Sequence, residues 1–352
     1  MSQPRHDAAQ LADFAQRLLQ ALQLPADKAV DVAQILVEGD LMGHTTHGLA
    51  LLAGYLTELK GGSMARDGEP SVVAQAPATL TWDGRRLPGP WLVLRAMEQA
   101  VERAMTYGTG TVVIRRSHHI ACLAAYLKRA TDAGLVMLLS CSDPNTASVA
   151  PFGGLDAVFT PNPVAFGIPT SGLPILVDIS TSATTNGMTA RVNREGGRMP
   201  AKWMVDSHGQ PTDDPAVLFH EPKGTILPLG GIDSGHKGFG LALLVEALTG
   251  GLAGHGRADA KEGWGATVFV QMIDPCAFAG EGEFQRQVDE VVRRSRASRP
   301  ARDGAAVRMP GERGLELARE QREKGVALHA SIMPMLEPWA RELGVAMPAQ
   351  VK

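Results

Sequence analysis

The sequence predicts a mixed α/β protein of the α+β kind, with a sheet-bearing centre bracketed by helical ends that return to one another. Two observations lead there. Apolar residues recur at helical spacing near both termini, and strand-like runs punctuated by Pro and Gly fill the middle.

In chain order, Asp7–Leu22 is a helix, because Leu11, Phe14, Leu18 and Leu22 fall near a 3.6-residue period. Pro25 takes the favoured first position of a second helix that runs to about Leu41. Leu49, Leu52, Leu56 and Leu59 form the apolar stripe of a third, which Gly61-Gly62 stops. "SVVAQAPATLTWDG" reads as two short strands and a turn, "GPWLVLRAMEQAVERAMTYG" as a helix and "GTVVIRRS" as a strand. A helix over about Ala121–Ala133 leads into the strand "GLVMLLSCS". Residues 151–230 read as strand and loop, 235–254 as a glycine-entered helix and "GATVFVQMI" as a strand. Helices over Glu281–Ser295, Glu312–Glu323 and Leu328–Leu343 complete the chain. The expected organisation is a helical part over 1–68, a central domain over 69–280 and C-terminal helices over 281–352 that rejoin the first part. No internal repeat is visible.

With 352 residues the chain exceeds one small core. Its 44% hydrophobic and 20% charged content fits a folded globular protein. A net charge of −3 and 5% aromatic residues point away from nucleic acid or an anionic membrane as partner. The Arg-rich run 293–304 reads as a solvated helix end and loop, since the chain as a whole is not basic. Cys122, Cys141 and Cys276 are far apart and odd in number, which excludes a disulfide scaffold or zinc ribbon and fits a reducing cytoplasm. The polar start "MSQPRHDAAQ" shows no secretory leader, and no uncharged apolar run reaches membrane-spanning length.

Three stretches carry candidate chemistry. "GHTTHG" places His44 and His47 at a helix entrance. They could be metal ligands, but a third ligand and HExxH are missing. Thr45 or Thr46 could simply cap the helix. Alternatively, the partial positive charge of a helix start keeps His47 neutral and suited to passing a proton, with Thr46 assisting. His44 reads as structural. "RRSHHIACLAAYL" puts Ser117, His118 and His119 between strand and helix, either as a structural turn or as an anion-holding junction. "GIDSGHKGFG" offers glycines and Lys237 to a phosphate without being a Walker loop, or packs helices through small residues. Asp178 ends the apolar strand of "PILVDISTS", placed to orient a histidine, ligate a ribose or cap a turn. No GxGxxG follows a strand, so a dinucleotide would not bind through the usual βαβ fingerprint.

"GHTTHGLALLAGYL", "RSHHIACLAAYL", "VAPFGG", "TPNPVAFGIP", "VDISTSATTNG", "GHKGFGLALLVEALTGGLAG" and "RMPGERG" together resemble the malate/L-lactate dehydrogenase family of the non-Rossmann type, over about residues 7–345. That family also holds ureidoglycolate and sulfolactate dehydrogenases and piperideine-2-carboxylate reductases. "GH-x-x-HG" and "SHHI" look closest to its broad-range bacterial 2-hydroxycarboxylate members. The resemblance implies a non-Rossmann cofactor domain with a mostly antiparallel sheet, NAD or NADP as cofactor, and a homodimer with the site near the subunit contact. It implies hydride transfer between nicotinamide and C2 of a small 2-hydroxy or 2-oxo acid. Carried over residue by residue, the proton donor and its relay are His47 and Thr46, with His119 as the rival acid/base. Cofactor contacts are His119, Ile120, Ala121, Cys122, Leu123, Asp178, Ile179, Ser180, His236, Lys237, Pro310, Gly311, Glu312 and Arg313. Substrate contacts are Leu51, Pro161, Asn162, Asn186 and Gly187. No resident metal is implied.

Three positions depart from the family pattern. Leu51 stands where many members carry a carboxylate-clamping arginine, Pro161 where they carry threonine, and Met188 where lysine is common. Without the arginine, malate fits less well than a more apolar 2-oxo acid. Reduction of a cyclic imine carboxylate, and cofactor binding without catalysis, are the alternatives.

Overall fold

The computed structural model describes residues 4–301 and 306–351. Strand β1 (Arg5–His6) precedes helices α1 (Ala8–Ala21), α2 (Ala26–Leu41) and α3 (Leu52–Gly61). Asp7 caps α1 through the Gln10 N–H at 2.9 Å, and the predicted stripe buries Leu11, Phe14 and Leu18. Gly62 ends α3 in the left-handed conformation (φ 77°), which explains the glycine pair. Strands β2 (Ser71–Ala76) and β3 (Thr79–Asp83), helix α4 (Gly89–Tyr107), strand β4 (Thr109–Ser117), helix α5 (Ala124–Asp132) and strand β5 (Val136–Ser142) come after it. Next are β6 (Val164–Ile168), β7 (Ile175–Ile179), helix α6 (Asn186–Arg194), the short strands β8 (Met204–Val205), β9 (Pro211–Thr212) and β10 (Thr225–Ile226), and helix α7 (Gly231–Glu246). A π-helical turn at Ala247–Gly251 leads to β11 (Ala266–Ile273), α8 (Glu281–Arg296), α9 (Glu312–Lys324), β12 (Val326–Ala327) and α10 (Ile332–Glu342).

Seven strands form one sheet in the order β2-β3-β4-β11-β5-β6-β7, antiparallel everywhere except between β3 and β4. One continuous apolar core joins α1–α5 to β4, β5 and β11. Leu11, Leu36, Leu52, Ile114, Leu127 and Val270 are fully buried in it, each worth about 1.5–3 kcal/mol of transfer free energy. The chain ends meet: β1 pairs with β12, and the Gln321 amide of α9 donates to the Asp40 and Leu41 carbonyls at the end of α2.

The structure corrects the sequence reading at two places. Residues 151–230 hold α6 and a small three-stranded sheet (β10-β8-β9), not strand and loop alone. The segment 121–123 lies outside the helix, with Ala121 at a φ of 61°, and α5 starts only at Ala124. The Arg-rich run is indeed a solvated helix end as far as it is described: Arg293 and Arg294 pair with Glu290, and Arg296 with Glu312. Residues 302–304 of that run lie outside the described residues.

Candidate active site

The histidine loop leaves α2 through Gly43, whose φ of +86° only glycine adopts freely. Neither threonine caps the turn beyond the loop, Leu49–Leu51. That turn is instead received by Asp40, whose Oδ2 accepts the Leu49 N–H at 2.6 Å. Asp40 is 2% exposed, and its Oδ1 has no partner. Burial pushes its carboxyl up to about 7, against the opposing pull of the Leu49 N–H and Arg191. On the far side of the loop, Arg191 of α6 donates to the Thr45 hydroxyl at 2.8 Å and to the Thr45 carbonyl. The loop is therefore bracketed between α2 and α6.

His47 and His119 stack at 6.1 Å between ring centroids, at one end of a cavity of about 610 Å³. The hydrogen bonds of His119 fix its role. The Ala121 backbone N–H, which can only donate, points at His119 Nδ1 at 3.2 Å. Nδ1 is thus an acceptor, and the neutral ring carries its proton on Nε2. The Tyr55 hydroxyl lies 2.9 Å from the same Nδ1 and donates to the His119 carbonyl at 3.0 Å. Trp264 lies against the His119 ring at 4.9 Å. Burial, then His47 and His118, hold the His119 pKa well below the usual imidazole value. His119 is a fixed neutral donor with no lone pair left for a base. Tyr55→Phe removes this anchor, so we expect a loss of about 1–2 kcal/mol in urea unfolding.

His47 shares one hydrogen bond, with the Thr46 hydroxyl at 2.8 Å from Nδ1. Burial lowers its pKa first, Asp178 opposes, and His44 and Arg191 add to the lowering. The sequence-based cause, a helix start, is replaced by desolvation, because Asp40 already occupies that N–H. His118 is a core residue: it is fully buried, sits 3.4 Å from Glu58, and burial brings it down to about 4.

Asp178, at the end of β7, takes the Ala124 N–H at 2.9 Å and so caps α5. It also joins the first cavity to a second of about 500 Å³, the two sharing His44 and Asp178. The Leu176 N–H donates to the Pro310 carbonyl, which straps the 310–313 turn beside Asp178. A Cβ on Gly311 would fall 2.7 Å from Leu176 Cβ and 2.9 Å from its backbone N, so only glycine packs there. Each cavity lies in the roughly 300–1,000 Å³ range of ligand sites, and the pair suits an extended ligand.

Of the expected residues, Thr46, His47, Leu51, His119, Ala121, Cys122, Leu123, Pro161, Asn162, Asp178, Ser180, Asn186 and Gly187 line the first cavity. Ile179, Pro310, Gly311 and Arg313 line the second. Ile120 is buried away from both, and Glu312 turns to the Met309 N–H and Arg296. His236 and Lys237 are exposed on α7 and line neither cavity. The Asn162 amide is spent on Thr160, at 2.7 Å, and on Glu246, at 2.8 Å. Ala121 and Asn162 both hold positive φ, 61° and 42°, a strained conformation that tends to gather at functional sites.

Asp143 and Trp264 also line the first cavity and were missed. Their only sequence signal was a lone acid after a strand and a lone tryptophan in a glycine loop. Asp143 and Asp178 are the carboxyl groups of that lining, and no Lys or Arg joins them among the described residues.

A family model described as malate/L-lactate dehydrogenase matches residues 6–337. The L-lactate dehydrogenase of Cupriavidus necator is 35% identical over 343 residues, 95% of this chain and 97% of that protein. The crystal structure of malate dehydrogenase from Entamoeba histolytica superposes with a TM-score of 0.92 at 25% identity, covering 99% of this chain and 100% of that one. The Δ1-piperideine-2-carboxylate reductase of Pseudomonas syringae gives 0.83 at 27% identity, covering 96% and 99%. With both its length and its architecture matched end to end, the chain belongs to the malate/L-lactate dehydrogenase family.

Proposed function

We propose that this oxidoreductase is an NAD(P)-dependent dehydrogenase of 2-hydroxy carboxylic acids, on the strength of one observation above all. Two stacked imidazoles, one of them held as an Nε2–H donor by the Ala121 N–H, line a cleft that continues past Asp178 into a second cavity. A bound nicotinamide would supply the hydride chemistry. His47, relayed by Thr46, takes or returns the proton at the substrate oxygen, since its Nδ1 bond leaves Nε2 free. His119 offers its Nε2–H to that oxygen or to the substrate carboxylate. Asp178, Ser180, the 121–123 segment and the 310–313 turn hold the cofactor. In this reading 69–280 is the cofactor domain, of non-Rossmann type, and the two helical ends form a shared lobe.

The start of α6 completes the substrate side: a Cβ on Gly187 would lie 3.4 Å from Thr46 Cβ and 3.9 Å from His47 Cε1. With Leu51 in the lining and no Lys or Arg there among the described residues, a carboxylate is held by neutral donors. The substrate is less polar than malate. Leu51→Arg should raise kcat/KM for malate by roughly 10-fold or more relative to an apolar 2-oxo acid, since a bidentate arginine–carboxylate pair adds a charge-assisted contact.

Helix α7 leaves Leu241, Leu243 and Leu244 exposed at 36%, 49% and 50%, which supports a homodimer through that face. His236 and Lys237 sit on the same helix. Among the described residues no helix is long and apolar enough to cross a membrane. The cysteines are free, in keeping with a cytoplasmic location.

The charge census favours one second reading. Two carboxyl groups in a lining that holds no Lys or Arg among the described residues suit a substrate bearing a protonated imine, as in a piperideine carboxylate. A spectrophotometric panel of 2-oxo acids and cyclic imines, each with NADH and NADPH, decides. Turnover of 2-oxo acids supports the first reading, turnover of imines alone the second, and no oxidation of either cofactor with any substrate removes both.

A further inference from the structure

At the junction of the two cavities three side chains from distant parts of the chain converge. They are His44 of the histidine loop, Cys122 ahead of α5 and Asp178 at the end of β7. One ligand-type atom from each, an imidazole nitrogen, Sγ and a carboxylate oxygen, lies within 4.8 Å of the other two. Cys122 Sγ is 3.7 Å from Asp178 Oδ2. Thr45, Thr46 and His47 are engaged, but the His44 ring has no side-chain hydrogen bond among the described residues.

We propose that His44, Cys122 and Asp178 bind a Zn²⁺ ion, and that the ion and a dinucleotide exclude each other. One nitrogen, one sulfur and one oxygen form a borderline-soft set that suits zinc better than magnesium or calcium, which prefer all-oxygen shells. Bond lengths of about 2.3 Å to sulfur and about 2.0–2.2 Å to nitrogen and oxygen put the ligand atoms of a tetrahedral ion roughly 3.3–3.7 Å apart. The sulfur–oxygen edge already has that length at 3.7 Å, and the two edges to His44, neither longer than 4.8 Å, come within range by rotation of its ring. The fourth position opens into the cleft, where water completes the shell. Binding converts the thiol to a thiolate on zinc and releases one proton to solvent, with no electron transferred. Mutual exclusion rests on the reading that the cofactor lies against Asp178, because the ion and its water would take the space at the junction of the two cavities that the cofactor needs.

The metal arm of the test uses zinc alone. Chelator-treated protein is dialysed against Zn²⁺ and its metal content measured, with Co²⁺ as a spectroscopic substitute. We expect one ion per chain and a thiolate-to-cobalt charge-transfer band. Cys122→Ser should lose the band, and both Cys122→Ser and His44→Ala should weaken zinc by roughly 100-fold or more, beyond the 10–100-fold typical of groups one shell further out. Cys276→Ser, at an exposed position, should change nothing. A wild-type protein without stoichiometric zinc, or equal binding by Cys122→Ser, overturns the site. Cofactor binding is followed separately by NADH fluorescence. Zinc affinity that falls as NADH is raised supports exclusion, and simultaneous binding of both overturns it. If NADH does not bind at all while zinc does, the cofactor reading fails and the metal site stands.

Discussion

Replacing His47 with Ala is expected to lower turnover by roughly 10²–10⁴-fold, the usual contribution of a positioned general acid or base, while NAD(P)H binding stays nearly intact. Two observations set this expectation. The ring lies in the cleft with Thr46 on one nitrogen, and the neighbouring His119 cannot replace it as a base, because Ala121 occupies its Nδ1. The pH profile carries the same information. Burial lowers the His47 pKa, so its base form persists below the ordinary imidazole value of about 6.5. For alcohol oxidation, kcat/KM should rise with pH along a limb lying below that value and then level off, and the limb should vanish in His47→Ala. Steady-state kinetics with fluorescence titration of NADH separates the two effects. Unchanged turnover in the variant removes His47 from the mechanism. Loss of activity in His119→Gln with a retained pH limb would be consistent with the donor role given to His119.

The second large effect concerns Asp40, which lines neither cavity. Its folded pKa is raised to about 7, from about 3.9 in an unfolded chain. The folded state therefore holds a proton that the unfolded state has released. Stability from this group is complete below about pH 4 and is lost as pH climbs toward 7, by on the order of 4 kcal/mol at most. Asp40→Asn keeps an acceptor for the Leu49 N–H and removes the charge. We expect urea denaturation to show the variant matching the parent near pH 4.5 and exceeding it by a few kcal/mol at pH 8. A variant less stable than the parent at both values would mean that the ionised carboxylate is needed, with Arg191 as its balancing charge. Gly48 is tied to the same group: a Cβ there would come within 2.3 Å of Asp40 Oδ2.

How far these features were legible differs by residue. The stripes of α1 and α3 and the Gly62 stop could be read because each is a local pattern with a local cause. Helix α6 could not. It opens on Asn186-Gly187, a turn signal, and the residues it buries are Thr189 and Arg191, so no apolar period marks it. The threonines of the histidine loop looked like caps because the competing acceptor, Asp40, reaches back over nine residues. His47, His119 and Asp178 stood out from their own motifs, and the resemblance gave them expected roles. Their roles came only with the contacts of Ala121, Thr46 and Ala124, which spacing along a chain does not encode. The convergence of His44 with Cys122 and Asp178 is likewise a product of the sheet bringing remote segments together.

That sheet has a consequence for how the chain is made. Its middle strand, β11, arrives more than a hundred residues after the two neighbours it separates, β4 and β5. During synthesis both neighbours must wait with bare edges until the ribosome has released residue 273, and bare edges recruit other nascent chains. A transcript cut short upstream of that point would yield an aggregating fragment rather than a smaller working protein, and any chaperone demand should peak in that interval.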